Sequence, residues 1–361
     1  MNILHVITSL NTGGAETLVV NLMPRFIALG HEVGVVVFNG QRTALMERLE
    51  RECPNCKIYK LGMDYYNPLY ILKLWRIMRK YDIVHTHNTS PQFFAAIAAK
   101  VLCSVTLVTT EHNTFNRRRD WWWYPRWMDR WMYNQYRMVI CISNQAEKKL
   151  RAFISHSKAE ITTIFNGVDV EAFHLANANP VLRNGSKRFL AVMVAGFRPQ
   201  KDQDTLIKAM SYLDKDVYEL WIVGDGERRS ELELLVDDLG LRDCIKFLGL
   251  RTDIPEILNT ADVVVMSSHY EGLSLSNIEG MSVGKPFIAS DVDGLYEMTE
   301  GAGLLFPHGD DSALADLIRK LHDDKQLYKQ VADACYEKAR QFDICKMVEK
   351  YNKVYKELSK N

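Results

Sequence analysis

Short apolar runs of strand length alternate with longer amphipathic segments, and the alternation occurs twice along the chain. Ile3–Ile7, Val33–Phe38, Ile83–Thr86, Val105–Thr109, Met138–Ile142 and Ile161–Ile164 read as buried strands. Between them Glu16–Leu29, Leu69–Lys80, Pro91–Val101 and Asn144–Phe153 read as helices. Such alternation predicts a parallel sheet wrapped by helices. Residues 177–187, with Asn-Ala-Asn-Pro and then Asn184-Gly185, lack periodicity and read as a linker. Alternation then resumes, with strands expected at Phe189–Ala195, Tyr218–Val223, Ile245–Leu248, Val263–Met266, Pro286–Ala289 and Leu304–Phe306. From Asp310 to Lys360 the pattern is almost wholly helical, longer than one closing helix needs. The expected organisation is therefore α/β, two doubly wound domains over 1–176 and 188–343. A last helix, about 344–361, is expected to pack back on the first domain. A length of 361 residues suits two cores better than one.

Net charge is zero, but it is unevenly spread. Residues 1–170 carry 21 Lys and Arg against 13 Asp and Glu, whereas the remainder carries 24 against 32. One half is thus expected to face something anionic. Seven cysteines are scattered, with Cys53-Pro-Asn-Cys56 the single tight pair and no second ligand pair after it, so a zinc or redox role is disfavoured. Ile3–Ile7 is too short for a signal peptide and no stretch approaches 18 apolar residues, so the expected location is the cytoplasm.

In doubly wound sheets ligands settle beyond the carboxyl ends of the strands, and the unusual residues of this chain fall there. Thr12-Gly13-Gly14-Ala15-Glu16 follows the first strand and opens a helix; paired glycines allow close backbone approach, and the helix start offers free N–H groups. A simple tight turn is the competing reading. Gly224-Asp225-Gly226-Glu227-Arg228-Arg229 puts acidic residues where a dinucleotide fingerprint would hold pyrophosphate, which disfavours a dehydrogenase; Asp225 could equally cap the next helix. Gly196-Phe197-Arg198-Pro199-Gln200-Lys201 places a guanidinium and an ammonium three residues apart, a plausible phosphate clamp or an ordinary solvated loop. His87 and His112 each end a strand of the first half, where two imidazoles at one sheet mouth point toward function rather than structure alone; the His85/His87 spacing lacks the companions of a metal site. Finally Glu271-Gly272-Leu273-Ser274-Leu275-Ser276-Asn277-Ile278-Glu279 brackets a helix start with two carboxylates. The helix start suits a phosphate and the carboxylates suit hydroxyls, which together describe a nucleotide sugar.

As an ordered set these residues resemble the retaining GT-B glycosyltransferases of family 4, "glycosyl transferases group 1". The resemblance spans nearly the whole chain. It rests on Gly13-Gly14, Glu111-His112-Asn113, Ser143, Asn166-Gly167-Val168-Asp169, Gly196-Phe197-Arg198 with Lys201, Gly224-Asp225-Gly226, Phe247-Leu-Gly249, Glu271 and Glu279, Gly280 to Pro286, and Asp293-Gly294. It implies two facing Rossmann-like domains and a transferase that uses a UDP- or GDP-sugar without a metal or other cofactor. It further implies roles. Glu279 would accept from the donor ribose, and Arg198 and Lys201 would neutralise the diphosphate, helped by N–H groups at Ser274-Leu275 and Gly14. Glu271, Gly272 and Leu273 would lie at the donor sugar, His112 would hydrogen-bond it, and backbone near Leu250 would read the base. Same-face attack, and hence retention, is also implied. Asp291-Val-Asp293 is read as a loop rather than a metal motif.

Five of seven tryptophans fall between residues 121 and 131, beside Arg117, Arg118 and Arg119. From Pro125 onward Trp127 and Trp131 lie one helical turn apart, with Arg126, Arg130 and Arg137 expected on an adjacent face. Arg117, Arg118, Arg119, Trp121, Trp122 and Trp123 could meet an anionic membrane, hold acceptor sugars or contribute to the core. The membrane reading predicts a peripheral enzyme that glycosylates a glycan or polyprenyl-linked acceptor in surface-polysaccharide assembly. A nucleotide-sugar 2-epimerase and a non-catalytic binding subunit are the rival readings. Nucleic acid is disfavoured by neutral overall charge and the lack of repeated stacking platforms.

Overall fold

The structure, a computed structural model, describes residues 1–11, 13–100, 105–112, 126–154, 157–271 and 275–359. Residues Met1–Asn166 with Cys345–Asn361 form one compact unit and Gly167–Ile344 the other. The segment expected as a linker packs within the second unit: Asn179 N–H donates to Thr260 Oγ1 (2.7 Å), and Arg183 donates to the Asp262 carboxylate (2.7 Å).

In the first unit β1 (Asn2–Ile7), α1 (Gly14–Ala28), β2 (Glu32–Asn39), α2 (Ala44–Glu52), β3 (Lys57–Gly62), α3 (Tyr70–Met78), β4 (Ile83–His87), α4 (Thr89–Lys100), β5 (Thr106–Glu111), α5 (Arg126–Tyr133), β6 (Met138–Cys141), α6 (Asn144–Phe153) and β7 (Glu160–Thr163) follow in turn. The strands form one parallel sheet in the order β3-β2-β1-β4-β5-β6-β7, so the winding reverses between β1 and β4. Strands buried on both faces need largely apolar runs, which β2 supplies from Val33 to Phe38 and β1 supplies around His5. Helix starts are fixed locally: the Ser143 hydroxyl accepts from Ala146 N–H (3.1 Å) at α6.

The second unit opens with α7 (Val170–Leu175) and continues β8 (Phe189–Val194), α8 (Gln203–Met210), β9 (Tyr218–Val223), α9 (Arg229–Asp238), β10 (Ile245–Gly249), α10 (Ile254–Thr260), β11 (Val263–Met266), α11 (Leu275–Ser282), β12 (Phe287–Ser290), α12 (Tyr296–Thr299), β13 (Leu304–Phe306), α13 (Asp311–Asp323) and α14 (Lys325–Ala339). Its parallel sheet runs β10-β9-β8-β11-β12-β13, reversing between β8 and β11. Helix α11 lies close against this sheet because Gly280 has no side chain: a Cβ there would stand 2.9 Å from both Val264 and the Phe287 ring. A final helix, α15 (Ile344–Leu358), returns to the first unit from Cys345 onward. Before it Val168 and Asp343 form a parallel bridge, with Ile344 N–H donating to Val168 C=O (2.8 Å).

Substituting Gly280→Val should cost about 1–3 kcal/mol by overpacking against β11 and β12. Urea unfolding followed by tryptophan fluorescence checks this, and unchanged stability would contradict the packing.

Candidate active site

Both reversal points carry the residues singled out by sequence. In the first unit Gly13 caps α1 in extended conformation, and the Glu16 carboxylate folds back over it, where a Cβ would have to displace it. Gly14 begins the helix with open space around its Cα. Asn88, the first residue after β4, holds a left-handed φ of 67° and reaches Glu16 Oε1 with its side-chain amide (3.4 Å). Burial pushes the Glu16 carboxyl above its ordinary range. Thr8, Ser9, Glu16, Tyr65, Tyr66 and Asn88 line a cavity of about 370 Å³ beyond the ends of β1 and β4. Glu16, Asn88 and the two tyrosines were not singled out by sequence. A non-glycine residue at positive φ is a useful flag, but only coordinates show it.

Behind this cavity stands a column of imidazoles. His5 on β1 is in register with His85 on β4, and His87 lies two residues further on the same face. His5 Nδ1 is 2.9 Å from His87 Nε2, and His87 Nδ1 is 2.9 Å from His112 Nε2. His85 is held between Tyr355 Oη (2.5 Å) and Thr110 Oγ1 (2.7 Å). Glu111, beside His112, accepts from Gln92 Nε2 (3.1 Å) and from the Tyr133 hydroxyl. Burial pushes His5 down to about 3 and His112 to about 4, and drives His85 and His87 well below the usual imidazole range. All four are therefore neutral at pH 7.

The tautomers follow from the network. His5 Nε2 is buried without a partner. An orphaned N–H is the costlier state, so the His5 proton sits on Nδ1 and is donated to His87. His87 must then carry its own proton on Nδ1 and donate it to His112 Nε2. His112 is left with a single N–H, on Nδ1. It is a fixed neutral donor, not an acid or base at pH 7. Within the trio His5, His85 and His87, which is compact enough to hold a metal ion, the only nitrogen left without a partner is His5 Nε2.

In the second unit the turns after β8 and β9 are zipped together. Phe197 N–H donates to Asp225 C=O (2.9 Å), and a Cβ on Gly226 would collide with the Phe197 backbone. Asp225 does not cap α9, which starts at Arg229; its carboxylate accepts instead from Gly226 N–H (2.8 Å). Gly196 and Arg198 are exposed on this turn, and Leu250, beyond β10, is also exposed. Lys201 and Glu271 are brought together from the ends of β8 and β11, the two strands that flank the reversal, and form an ion pair. Ser268 Oγ donates to the same Glu271 oxygen (2.7 Å). Gln200 ties the loops, accepting from His269 N–H (2.8 Å) and donating to Tyr270 C=O (3.0 Å). Leu275 opens α11, and Glu279 follows one turn later with its carboxyl pushed up to about 7 by burial. Among the described residues no cation pairs with it. A larger cavity of about 680 Å³, bordered by Arg183, Arg188, Glu219 and Lys246, lies at the amino ends of these strands, remote from the paired charges.

Gly272, Leu273 and Ser274, and the cluster Arg117, Arg118, Arg119, Trp121, Trp122 and Trp123, lie outside the described residues. In α5 the two tryptophans part company: Trp127 is 69% exposed, whereas Trp131 packs on the core with its ring edge toward Phe93. Arg137 does not share their helix; it pairs with Glu160 (3.2 Å) before β6. Cys53 and Cys56 are buried, and burial pushes the Cys56 thiol up to about 12, away from the thiolate that metals require. Among the described residues no helix is long and apolar enough to cross a membrane.

Two parallel sheets, each with a reversal point that carries polar loops, define a two-unit α/β architecture, and known proteins carry the same one. Residues 12–172 match the family described as Glycosyltransferase Family 4, and residues 177–341 match Glycosyl transferases group 1. The chain is 28% identical over 302 residues to the UDP-Gal:alpha-D-GlcNAc-diphosphoundecaprenol alpha-1,3-galactosyltransferase of Escherichia coli, covering 79% of this chain and 78% of that one. It is 23% identical over 369 residues to the GalNAc-alpha-(1->4)-GalNAc-alpha-(1->3)-diNAcBac-PP-undecaprenol alpha-1,4-N-acetyl-D-galactosaminyltransferase of Campylobacter jejuni, covering 99% of each. Anabaena HepE, solved in complex with UDP-glucose, superposes with a TM-score of 0.82 at 24% identity over 99% of this chain and 100% of its own. The chain belongs to the family 4 glycosyltransferases of GT-B fold, and its activity is that of a glycosyltransferase.

The buried neutral imidazoles carry a pH signature. The unfolded chain takes up protons as pH falls through about 6.5 and the folded first unit does not, so stability drops from there toward the folded values near 3 to 4. Thermal midpoints from pH 7.5 to 4.5 should fall, and His5→Phe should flatten the decline. A flat profile for the intact protein would contradict the neutral column.

Proposed function

We propose that this enzyme transfers a sugar from a UDP- or GDP-sugar to a glycan or lipid-linked acceptor in cell-surface polysaccharide assembly, retaining anomeric configuration. The observation that carries this reading is the meeting of Lys201 and Glu271 at the reversal of the second sheet, with Glu279 one helical turn into α11. Cleaving a glycosyl–phosphate bond places negative charge on the departing diphosphate. A preorganised ammonium and guanidinium, Lys201 and Arg198, with N–H groups at the start of α11, stabilise that charge as it develops. The cationic side chains supply this neutralisation without a resident metal. Glu279 is a hydroxyl acceptor held without a cation partner, suited to a ribose. Glu271, Gly272 and Leu273 serve the donor sugar, and Leu250 the base. Gly13 and Gly14 offer backbone N–H, and His112 offers one fixed N–H to a sugar oxygen. The departing diphosphate takes the acceptor proton in a same-face step.

The E. coli and C. jejuni relatives, named for acceptors on diphosphoundecaprenol or PP-undecaprenol, support a polyprenyl-linked acceptor here. Exposed Trp127 and the excess of basic residues in 1–170 support peripheral attachment to an anionic cytoplasmic membrane face. Salt-sensitive flotation with anionic liposomes is expected; no flotation at low salt would remove the membrane part of the proposal.

Nucleoside diphosphate release, measured across a panel of nucleotide sugars with extracted lipid acceptors, tests the activity. Lys201→Ala should lower kcat/KM by about 100–1000-fold. Wild-type rates in that variant would sink the clamp, and an inverted product anomer by NMR would sink retention. Hydroxyl donors favour the ionised form of Glu279, whose carboxyl sits at about 7. Donor affinity should therefore rise from pH 6 to pH 8, and Glu279→Gln should abolish that rise.

A further inference from the structure

Outside the clamp, three potential metal ligands converge from three strand ends: Asp202 after β8, His269 after β11 and His308 after β13. His269 Nδ1 lies 2.6 Å from His308 Nε2 and 3.6 Å from Asp202 Oδ2, and one ligand atom from each lies within 4.8 Å of the others. Tetrahedral zinc with bonds near 2.0–2.1 Å sets its ligands about 3.3 Å apart, which these separations bracket. We propose that Asp202, His269 and His308 form a binding site for one zinc-class divalent cation at the carboxyl edge of the second sheet.

The set is built rather than incidental. Asp202 holds a left-handed φ of 47°, a conformation more at home in glycine, and is buried. Its Oδ2 accepts from Thr205 Oγ1 (2.7 Å) and its backbone carbonyl accepts from Ser267 Oγ (2.7 Å). The Thr205 bond orients the carboxylate, as metal-ligating carboxylates are oriented elsewhere. The His269 backbone is anchored to Gln200 (2.8 Å), and the two imidazole rings cross edge to face with centroids 4.9 Å apart. Both histidines are exposed, so an ion can enter. Two imidazoles and one carboxylate favour zinc over magnesium or calcium, which prefer oxygen ligands, and three protein ligands leave a fourth position open. The buried trio His5, His85 and His87 differs here, because five of its six ring nitrogens already have hydrogen-bond partners in the column.

Untagged full-length protein, stripped with EDTA and desalted, should bind zinc at a single site by calorimetry. Bound cobalt should show visible bands of a nitrogen and oxygen set. His269→Gln and His308→Gln should each abolish that binding, and Asp202→Asn should weaken it. Stabilisation by UDP in the cation-free protein is the separate test of the donor site, and His308→Gln should leave it unchanged. Absence of zinc binding by the intact protein, undiminished binding in both histidine variants, or a near-ultraviolet thiolate-to-cobalt band would each overturn the site. In the first case the imidazoles share only a hydrogen bond; in the last the ion sits on cysteine.

Discussion

An ammonium and a carboxylate from neighbouring strand ends, Lys201 and Glu271, hold the second reversal point together. Glu271 is almost wholly buried, and such a carboxylate is tolerable only while it is paired. Removing either partner of a buried pair costs about 3–5 kcal/mol because the survivor's charge is left uncompensated. The loops after β8 and β11 are thus committed to one geometry before any substrate arrives. On the proposed reading a diphosphate enters as a second anion for Lys201, and the preorganisation is what a transition state with developing negative charge can use.

The first unit solves a different problem. Its reversal point is backed by imidazoles kept neutral by burial, and the cavity in front of them is lined by Glu16, Asn88 and two tyrosines. The hydrogen-bonded sequence from His5 through His87 to His112 passes tautomeric identity outward, and α15 seals it from behind through Tyr351 and Tyr355.

Much of this was legible in the sequence because parallel strands buried on both faces must be continuously apolar. β8 and β11 announce themselves that way. β3, Lys57-Ile-Tyr-Lys-Leu-Gly, escaped the reading: as an edge strand it tolerates lysines and is only partly buried. Lys201 and the Glu271–Glu279 spacing were legible as local signals, but the ion pair that joins Lys201 to Glu271 was not, for 70 residues separate them. Tyr355 beneath His85 was not, for 270 residues separate them. Asp225 was open to a capping reading because its offset from the helix is plausible until the turn itself is seen. Trp131 and Trp127 look alike in sequence, and only packing sends one to the core and the other to solvent.

The central claim is that the second unit holds the nucleotide, with the diphosphate at Lys201 and the start of α11 and the ribose at Glu279. A crystal of the protein soaked with UDP tests it most directly. The account predicts phosphate oxygens within hydrogen-bonding distance of Lys201 Nζ and Arg198, and ribose hydroxyls on the Glu279 carboxylate. A nucleotide seated in the cavity of the first unit, or at the amino ends of the second sheet, would contradict it.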